Sequence, residues 1–519
     1  MTITVTDLFA GAGGSSTGMI QIPGVQVVIA ANHWSLAIET HNQNHPETEH
    51  AAVDLHQEDP RFFPRTDVLW ASPECTKWSQ ANGTARPAIE EGLFEDPLSD
   101  EASNRSRLLM FDVLRFAEHH RYRAMIIENV VDIATQAQYR LAWYEWRTQL
   151  RALGYRFRVV SLNSMHAQTY GAPAPQSRDR IYIVCWREGE RAPDVDNILR
   201  PSAYCSRCDQ LVRATQSWKN GKTVGRYRQT YLYTHAECGT VVEPGWLPAA
   251  AAIDWSIPGE RIGDRLKPKT RARIAAGIAR YWGPIHIEAQ GNQYDAADPK
   301  HPQHGDPNAY YRAWPIDDVI RTLHTQETKA LAIPVEGREG KLAWPLNVPM
   351  RTQTTRLETA LAQPPFIAEM YGTSTARPVT EPAGTFTAGG NHHALVHRHN
   401  TGGAEMTTPV LEELRTLTTT SPQSLLQVPS ARPRVSEADI RAAEEMVPEV
   451  MFRMFRPHEV AAGMAFPSDY RWDAIDPKTG RRASNRDLTK MAGNAVTPPA
   501  ARDLVATVVH ALAGEGTPS

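Results

Sequence analysis

Three side chains have the types and placement to do chemistry together. Cys75 follows an apolar run, Val68-Leu69-Trp70-Ala71, that reads as a buried strand and is cut off by Ser72-Pro73, because proline removes a ladder donor. Glu128 stands at the end of a later apolar run, 124–127, and Arg178 lies in Gln176-Ser177-Arg178-Asp179-Arg180, just ahead of a strand at 181–186. A thiol, a carboxyl group and a guanidinium supply a nucleophile, a proton holder and a cation. In a parallel α/β sheet the carboxyl ends of the strands are where ligands collect. Other uses stay open at this point: the thiol could pack as a small buried hydrophobe, and Arg180 could pair with Asp179 or the sheet edge.

The elements that must position these groups follow from the patterning. Residues 3–8 form a β-branched strand that ends in Phe9-Ala10-Gly11-Ala12-Gly13-Gly14, a glycine-dense turn leading into residues able to start a helix. This is not the dinucleotide fingerprint, because Ser16 holds the third glycine position, but the glycines still let a cofactor lie against the backbone. A second strand, 25–31, ends at Asn32-His33-Trp34, and a short third near 52–53 ends at Asp54. Three successive strand ends thus offer a glycine turn, a polar group with an aromatic plate, and a carboxylate, a set suited to hold a nucleoside. Trp34 could equally be a core aromatic. Helical spacing at 108–118 and 141–153 alternates with strands at 124–127, 157–162 and 181–186, which predicts a doubly wound α/β fold over about 190 residues.

Of the 519 residues 41% are hydrophobic and 22% charged, and no run of 18 apolar residues offers a membrane span. The first residues lack the basic-then-apolar pattern of a secretory signal, so a cytoplasmic protein without a membrane partner is expected. The net charge of -3 excludes little, yet residues 200–290 hold 14 Lys/Arg against 7 Asp/Glu and could face a polyanion. Five cysteines, an odd number, argue against a disulfide framework and for metal or catalytic use. Cys205-x-x-Cys208 and His235-x-x-Cys238 have the spacing of two ligand turns around one tetrahedral ion, which predicts structural Zn2+ in a ribbon-like element at 200–245. Two unrelated pairs are the alternative. Further on, segments beginning at Pro315, Pro345, Pro378 and Pro409 share a Thr-rich pattern and predict four stacked β repeats across 310–430. Helical texture returns at about 437, and Gly493-Asn494 forms a turn before a last apolar helix to 512.

The stretches DLFAGAGG, ANHW, Asp54, SPECTKWS, ENV, QSRDR, RPHEVAAGMAFP and GNAV occur in a family's order, and the chain resembles a DNA (cytosine-5)-methyltransferase of prokaryotic or phage type. The motifs cover roughly the first 190 and the last 70 residues. The resemblance implies a class I S-adenosylmethionine-dependent methyltransferase fold, doubly wound with a mostly parallel sheet. It divides the chain into catalytic parts at 1–199 and 449–519 around a β-rich target recognition domain at 200–448. By position, Phe9, Gly11 and Gly13 would border S-adenosylmethionine, Trp34 would stack on adenine, Asp54 would bond its edge and Asn494 would close the pocket. Carbon 5 of cytosine is too poor a nucleophile to take a methyl group directly, and thiolate addition at carbon 6 overcomes this. Cys75 would attack carbon 6, Glu128 would hold a proton on nitrogen 3 and Arg178 would support the base, with Arg180 joining the catalytic set through its motif. Double-stranded DNA is the implied partner of a monomer, with the cytosine flipped out beneath a loop at 78–92. An RNA cytosine-5 methyltransferase and a catalytically silent DNA-binding protein on the same fold are the rival readings. Glu74 and Thr76 depart from the family's usual proline and glutamine around the cysteine, and His33 stands where an acidic residue normally grips the donor's ribose.

Overall fold

The apolar runs assemble into one sheet. In chain order its strands are β1 (Ile3–Leu8), β2 (Val25–Ala31), β3 (Glu49–Ala51), β4 (Val68–Ala71), β5 (Ala124–Asn129), β6 (Tyr155–Asn163) and, after the two-residue β7 (Gln176–Ser177), β8 (Asp179–Arg187). Their spatial order is β3-β2-β1-β4-β5-β8-β6. Only β8 runs antiparallel to its neighbours, so the sheet is mostly parallel, as expected. The computed structural model describes residues 2–73, 101–257, 259–263, 266, 268–281, 285–288 and 436–514, with short strands between 313 and 426.

Six helices, α1 (Gly14–Met19), α2 (Ser35–Asn44), α3 (Glu101–His120), α4 (Asp132–Thr135), α5 (Arg140–Ala152) and α6 (Val195–Ile198), belong to this first part. Strands β4 and β5 are buried along their whole length, as parallel strands covered on both faces must be. Period-two alternation sends Leu69, Met125 and Ile127 toward Phe116 of α3 and Trp146 of α5. Their neighbours Trp70 and Ile126 face the opposite layer. There the chain's last helix completes the core. After α7 (Pro268–Tyr281), α8 (Glu437–Met446), α9 (Pro457–Gly463) and α10 (Asn485–Asn494) comes α11 (Pro498–Ala513), which starts with proline in its first turn and stops at Gly514 with φ +75°. Helix α1 lies against it so closely that a Cβ on Gly14 would fall 2.1 Å from the Val496 carbonyl oxygen, and one on Gly18 the same distance from that of Pro498. Only glycine fits at either place.

Beyond Arg200 lie β9 (Ser202–Cys205), β10 (Gln210–Arg213), β11 (Thr215–Trp218), β12 (Tyr231–Thr234) and β13 (Val241–Val242), in two small antiparallel sheets, β10-β9 and β11-β12-β13. A five-stranded sheet follows, in the order Glu260–Arg261, Met451–Met454, Lys329–Ile333, Ile285–Glu288, Ala313–Pro315. Of the repeat region, Ile320–Arg321 pairs in parallel with β7, and Leu395–Arg398 lies between Thr407–Pro409 and Gln423–Leu426. The repeat beginning at Pro345 lies outside the described residues. Among those described, no helix is long and apolar enough to cross a membrane.

Candidate active site

One half of the sheet's carboxyl edge is built at the ends of β4, β5 and β8. The Ser72 N–H donates to the Leu8 carbonyl at 3.1 Å, which carries the β1–β4 ladder one residue beyond the strand. The indole N–H of Trp70 donates to Ser72 Oγ at 2.9 Å. Asn129, last in β5, donates through Nδ2 to the Pro73 carbonyl at 3.5 Å and accepts the Val130 N–H on Oδ1 at 2.8 Å. Ser72-Pro73 is thereby tied to β1 on one side and β5 on the other. Cys75 and the 78–92 loop lie outside the described residues.

Glu128 is buried, and its Oε1 is 3.0 Å from Arg180 Nε. The register accounts for the pair: Glu128 stands opposite Tyr182, so Arg180 is its diagonal neighbour on the same face. Of the alternatives for Arg180, the pairing with Asp179 does not form through the carboxylate. Adjacent residues in a strand point to opposite faces, and the Asp179 carboxylate instead accepts the Tyr227 N–H at 3.0 Å. Arg178, 3% exposed, donates from Nη1 to the Gly493 carbonyl at 3.2 Å and from Nη2 to that of Ala495 at 3.1 Å. It thus shapes the turn that presents the exposed Asn494, while Arg180 is the guanidinium beside Glu128.

The other half of the edge lies on β1, β2 and β3. Phe9 and Gly11 both take left-handed backbone, with φ of +60° and +58°, and a Cβ on Gly11 would meet no atom within 4 Å. That open backbone suits a ligand lying against it. Gly13 differs, because a Cβ there would meet the Tyr470 hydroxyl at 2.8 Å and the His41 ring at 3.0 Å. The next two strand ends are stitched together, Asn32 N–H to the Ala51 carbonyl and Val53 N–H to the Asn32 carbonyl, each at 3.1 Å. This brings Trp34 and Asp54, both half-buried, to adjacent positions along the edge. One face of Trp34 is already taken by Lys490, whose Nζ is 4.4 Å from the ring centroid. Asp54 Oδ1 accepts the His56 N–H at 3.2 Å.

Beneath the glycine turn runs a buried polar network that the residue pattern did not reveal. The Ser15 and Ser16 hydroxyls donate to Asp7 Oδ2 at 2.6 and 2.7 Å. His41 Nε2 is 3.0 Å from Ser16 Oγ, and His41 Nδ1 is 2.8 Å from His50 Nε2. Since Ser16 gives its proton to Asp7, its oxygen accepts from His41 Nε2–H, and His41 Nδ1 is left to accept from His50. His45 adds a contact to Thr17 Oγ1 at 3.1 Å. Burial raises the Asp7 carboxyl to about 7, and burial also lowers His45 to about 4, His41 well below its usual value, and His50. The one visible signal was His41 and His45 at i, i+4 spacing, with His41 in the last turn of α2 and His45 just beyond it; Asp7 and His50 lie further off in the sequence.

The four predicted metal ligands come together. Cys205 ends β9 and Cys208 lies in the turn to β10, while His235 and Cys238 occupy the turn between β12 and β13. Their ligand atoms all lie within 4.8 Å of one another, with Cys205 Sγ to Cys238 Sγ at 3.5 Å and His235 Nδ1 to Cys238 Sγ at 3.2 Å. Tetrahedral Zn2+ with thiolate bonds near 2.3 Å sets neighbouring sulfurs about 3.8 Å apart, so the set fits that ion.

The order of the mostly parallel sheet agrees with the fold of S-adenosylmethionine-dependent methyltransferases. The family model of the C-5 cytosine-specific DNA methylase matches residues 3–236. It is similar to the Type II methyltransferase M.AgeI of Thalassovita gelatinovora, 28% identical over 193 residues, 36% of this chain and 40% of that protein. It is also similar to the Type II methyltransferase M1.ScrFI of Lactococcus lactis subsp. cremoris, 29% identical over 178 residues, 34% and 40% of the two chains. The matched stretch therefore spans about 40% of the length of these curated relatives. A solved structure, the S. pombe Dnmt2 methyltransferase, aligns over 98% of both chains with 13% identity and a TM-score of 0.44.

Proposed function

We propose that the chain is a DNA (cytosine-5-)-methyltransferase that modifies a flipped-out cytosine within a specific duplex sequence, acting as a monomer in the cytoplasm. The observation that carries this is the Glu128–Arg180 pair at 3.0 Å, at the end of the strand whose last residue, Asn129, donates to the carbonyl of Pro73, two residues ahead of Cys75. The Cys75 thiolate adds to carbon 6 while Glu128 keeps a proton on nitrogen 3, so the ring's electron pair is directed to carbon 5 rather than held as charge. Carbon 5 would then take the methyl group as its bond to the donor's sulfonium sulfur breaks and a neutral thioether departs; the carbon 5 proton leaves to solvent, the ring double bond re-forms and the thiolate departs. Arg180 fixes Glu128, and Arg178 works at one remove through the Asn494 turn. S-adenosylmethionine supplies an electrophilic methyl group, and Phe9, Gly11, Trp34, Asp54 and Asn494 are the residues that would hold it, with Gly13 bordering the turn.

The test is expression in a methylation-free bacterium followed by bisulfite mapping of 5-methylcytosine. Modified cytosines at one sequence context are expected, and Cys75→Ala should lower the rate by about 10⁴-fold or more. An unmodified genome with soluble protein present would turn the reading toward RNA or a silent role. We read the Cys205, Cys208, His235 and Cys238 cluster as a structural Zn2+ site. Elemental analysis should give one zinc per chain, lost in Cys238→Ser; a metal-free native protein would refute this.

A further inference from the structure

Strand β12 joins the metal cluster to the reacting half of the sheet. One end leads into His235 and Cys238; the other is preceded by a turn, 225–230, closed by the Thr230 N–H donating to the Arg226 carbonyl at 2.8 Å. Arg226 Nη2 is 2.6 Å from Asp132 Oδ1, and the next residue donates its N–H to Asp179 Oδ1. Asp132, 2% exposed, opens α4 four residues after Glu128, and Asp179 immediately precedes Arg180. Two consecutive residues of the inserted segment therefore hold the carboxylates that flank the two members of the Glu128–Arg180 pair. Behind the turn Tyr227 and Tyr233 pack edge-on to His166, with ring centroids 4.6 and 5.0 Å away, so the turn has a rigid backing.

We propose that Arg226 is a positioning residue for the Glu128–Arg180 pair, and that the metal-bound ribbon holds Arg226 in place. The inference rests on the methyltransferase reading of the site and on Zn2+ at the cluster. Asp132 has little water to turn to if Arg226 moves, so the pair fixes where β5 ends and with it the carboxyl group of Glu128. A ribbon without metal loses the constraint at the far end of β12.

The full chain, zinc-loaded, tests this by kinetics on DNA together with amide hydrogen exchange. Arg226→Met should lower kcat about 10- to 100-fold, as misplacement by about 1 Å does, with KM for the methyl donor within about twofold of the parent. Arg226→Lys should recover part of the rate, and adding Asp132→Asn to Arg226→Met should cost little more, since both break one contact. Cys238→Ser should show a similar loss of kcat. In Arg226→Met and Cys238→Ser, exchange should rise at 128–132 and 179–180 while β1 and β4 stay protected. Arg226→Met with parental kcat and parental exchange would overturn the proposal, as would Cys238→Ser with no change at 128–132. A parent chain inactive on DNA would remove the methyltransferase reading instead, and the exchange results would then decide the coupling alone.

Discussion

The two halves of the sheet's carboxyl edge are braced by opposite means. Under β1 and β2 the support is a buried chain of serines and histidines around Asp7, drawn from residues 7–50 with Tyr470 donating to the Ala12 carbonyl. Under β5 and β8 the support is full charge: Glu128 on Arg180, Asp132 on Arg226, and Arg178 on two main-chain carbonyls. A neutral network holds a surface without a large desolvation cost but responds to protons. Ion pairs hold geometry against protons near neutrality but need partners, and here two of the three partners arrive from 226 and 493–495. The half that would bind the donor takes its buried polar network from residues 7–50, with Tyr470 and Lys490 added from far along the chain. The half that would react is finished by distant chain.

If this contrast holds, damage should stay within its half. Glu128→Gln should lower kcat by roughly 10²- to 10⁴-fold, as loss of a positioned proton holder does, while calorimetry finds donor affinity unchanged. A collapse of donor binding would mean that the halves are not separable. Replacing the two arginines sharpens the same point. Arg180→Met should act mainly on kcat, whereas Arg178→Met leaves two buried carbonyls without donors and should cost about 2–4 kcal/mol in denaturant unfolding. The reverse pattern would exchange their roles.

The smallest effect concerns pH and belongs to the donor half. His45, pushed down to about 4 in the fold, contributes stability that is lost as pH falls from 6.5 through that value, and His41 and His50 act with the same sign. Asp7, raised to about 7, works the other way: its contribution is full below about 4 and fades as pH rises toward 7. With three histidines against one carboxyl group, stability should fall on acidification from 6.5 to 4. His45→Gln should flatten that slope and Asp7→Asn steepen it, each by at most about 1.4 kcal/mol per pH unit. Urea midpoints across this range give the answer, and a slope unmoved by either substitution would mean the network does not titrate.

Much of the fold was legible because a covered parallel sheet writes its strands as apolar runs, and β1, β2, β4, β5 and β8 all begin and end near where those runs do. The Cys205, Cys208, His235 and Cys238 cluster was legible because chelation would constrain sequence spacing directly. The division of labour between Arg178 and Arg180 was not, since it depends on which face of a two-strand register each one takes and on a turn more than 300 residues away. The Arg226–Asp132 contact had no local signature either: a basic residue in a basic segment looks like any other until the fold brings a buried carboxylate to it. The link from His41 to Asp7 was not legible either, because it runs through Ser16, a residue that the sequence offered only as a missing glycine.

The fit of Gly14 and Gly18 against Val496 and Pro498 bears on how the chain is made. The groove for the last helix is laid down within the first 20 residues, and its occupant leaves the ribosome almost 480 residues later. At about 5–20 residues per second, that is an interval of roughly half a minute to a minute and a half. Once Ile126 has been made, the face of the nascent sheet that carries Val5, Trp70 and Ile126 has no α11 to cover it. The protein carries this bare face until α11 emerges, and chaperones that shield it should raise the yield of folded chain.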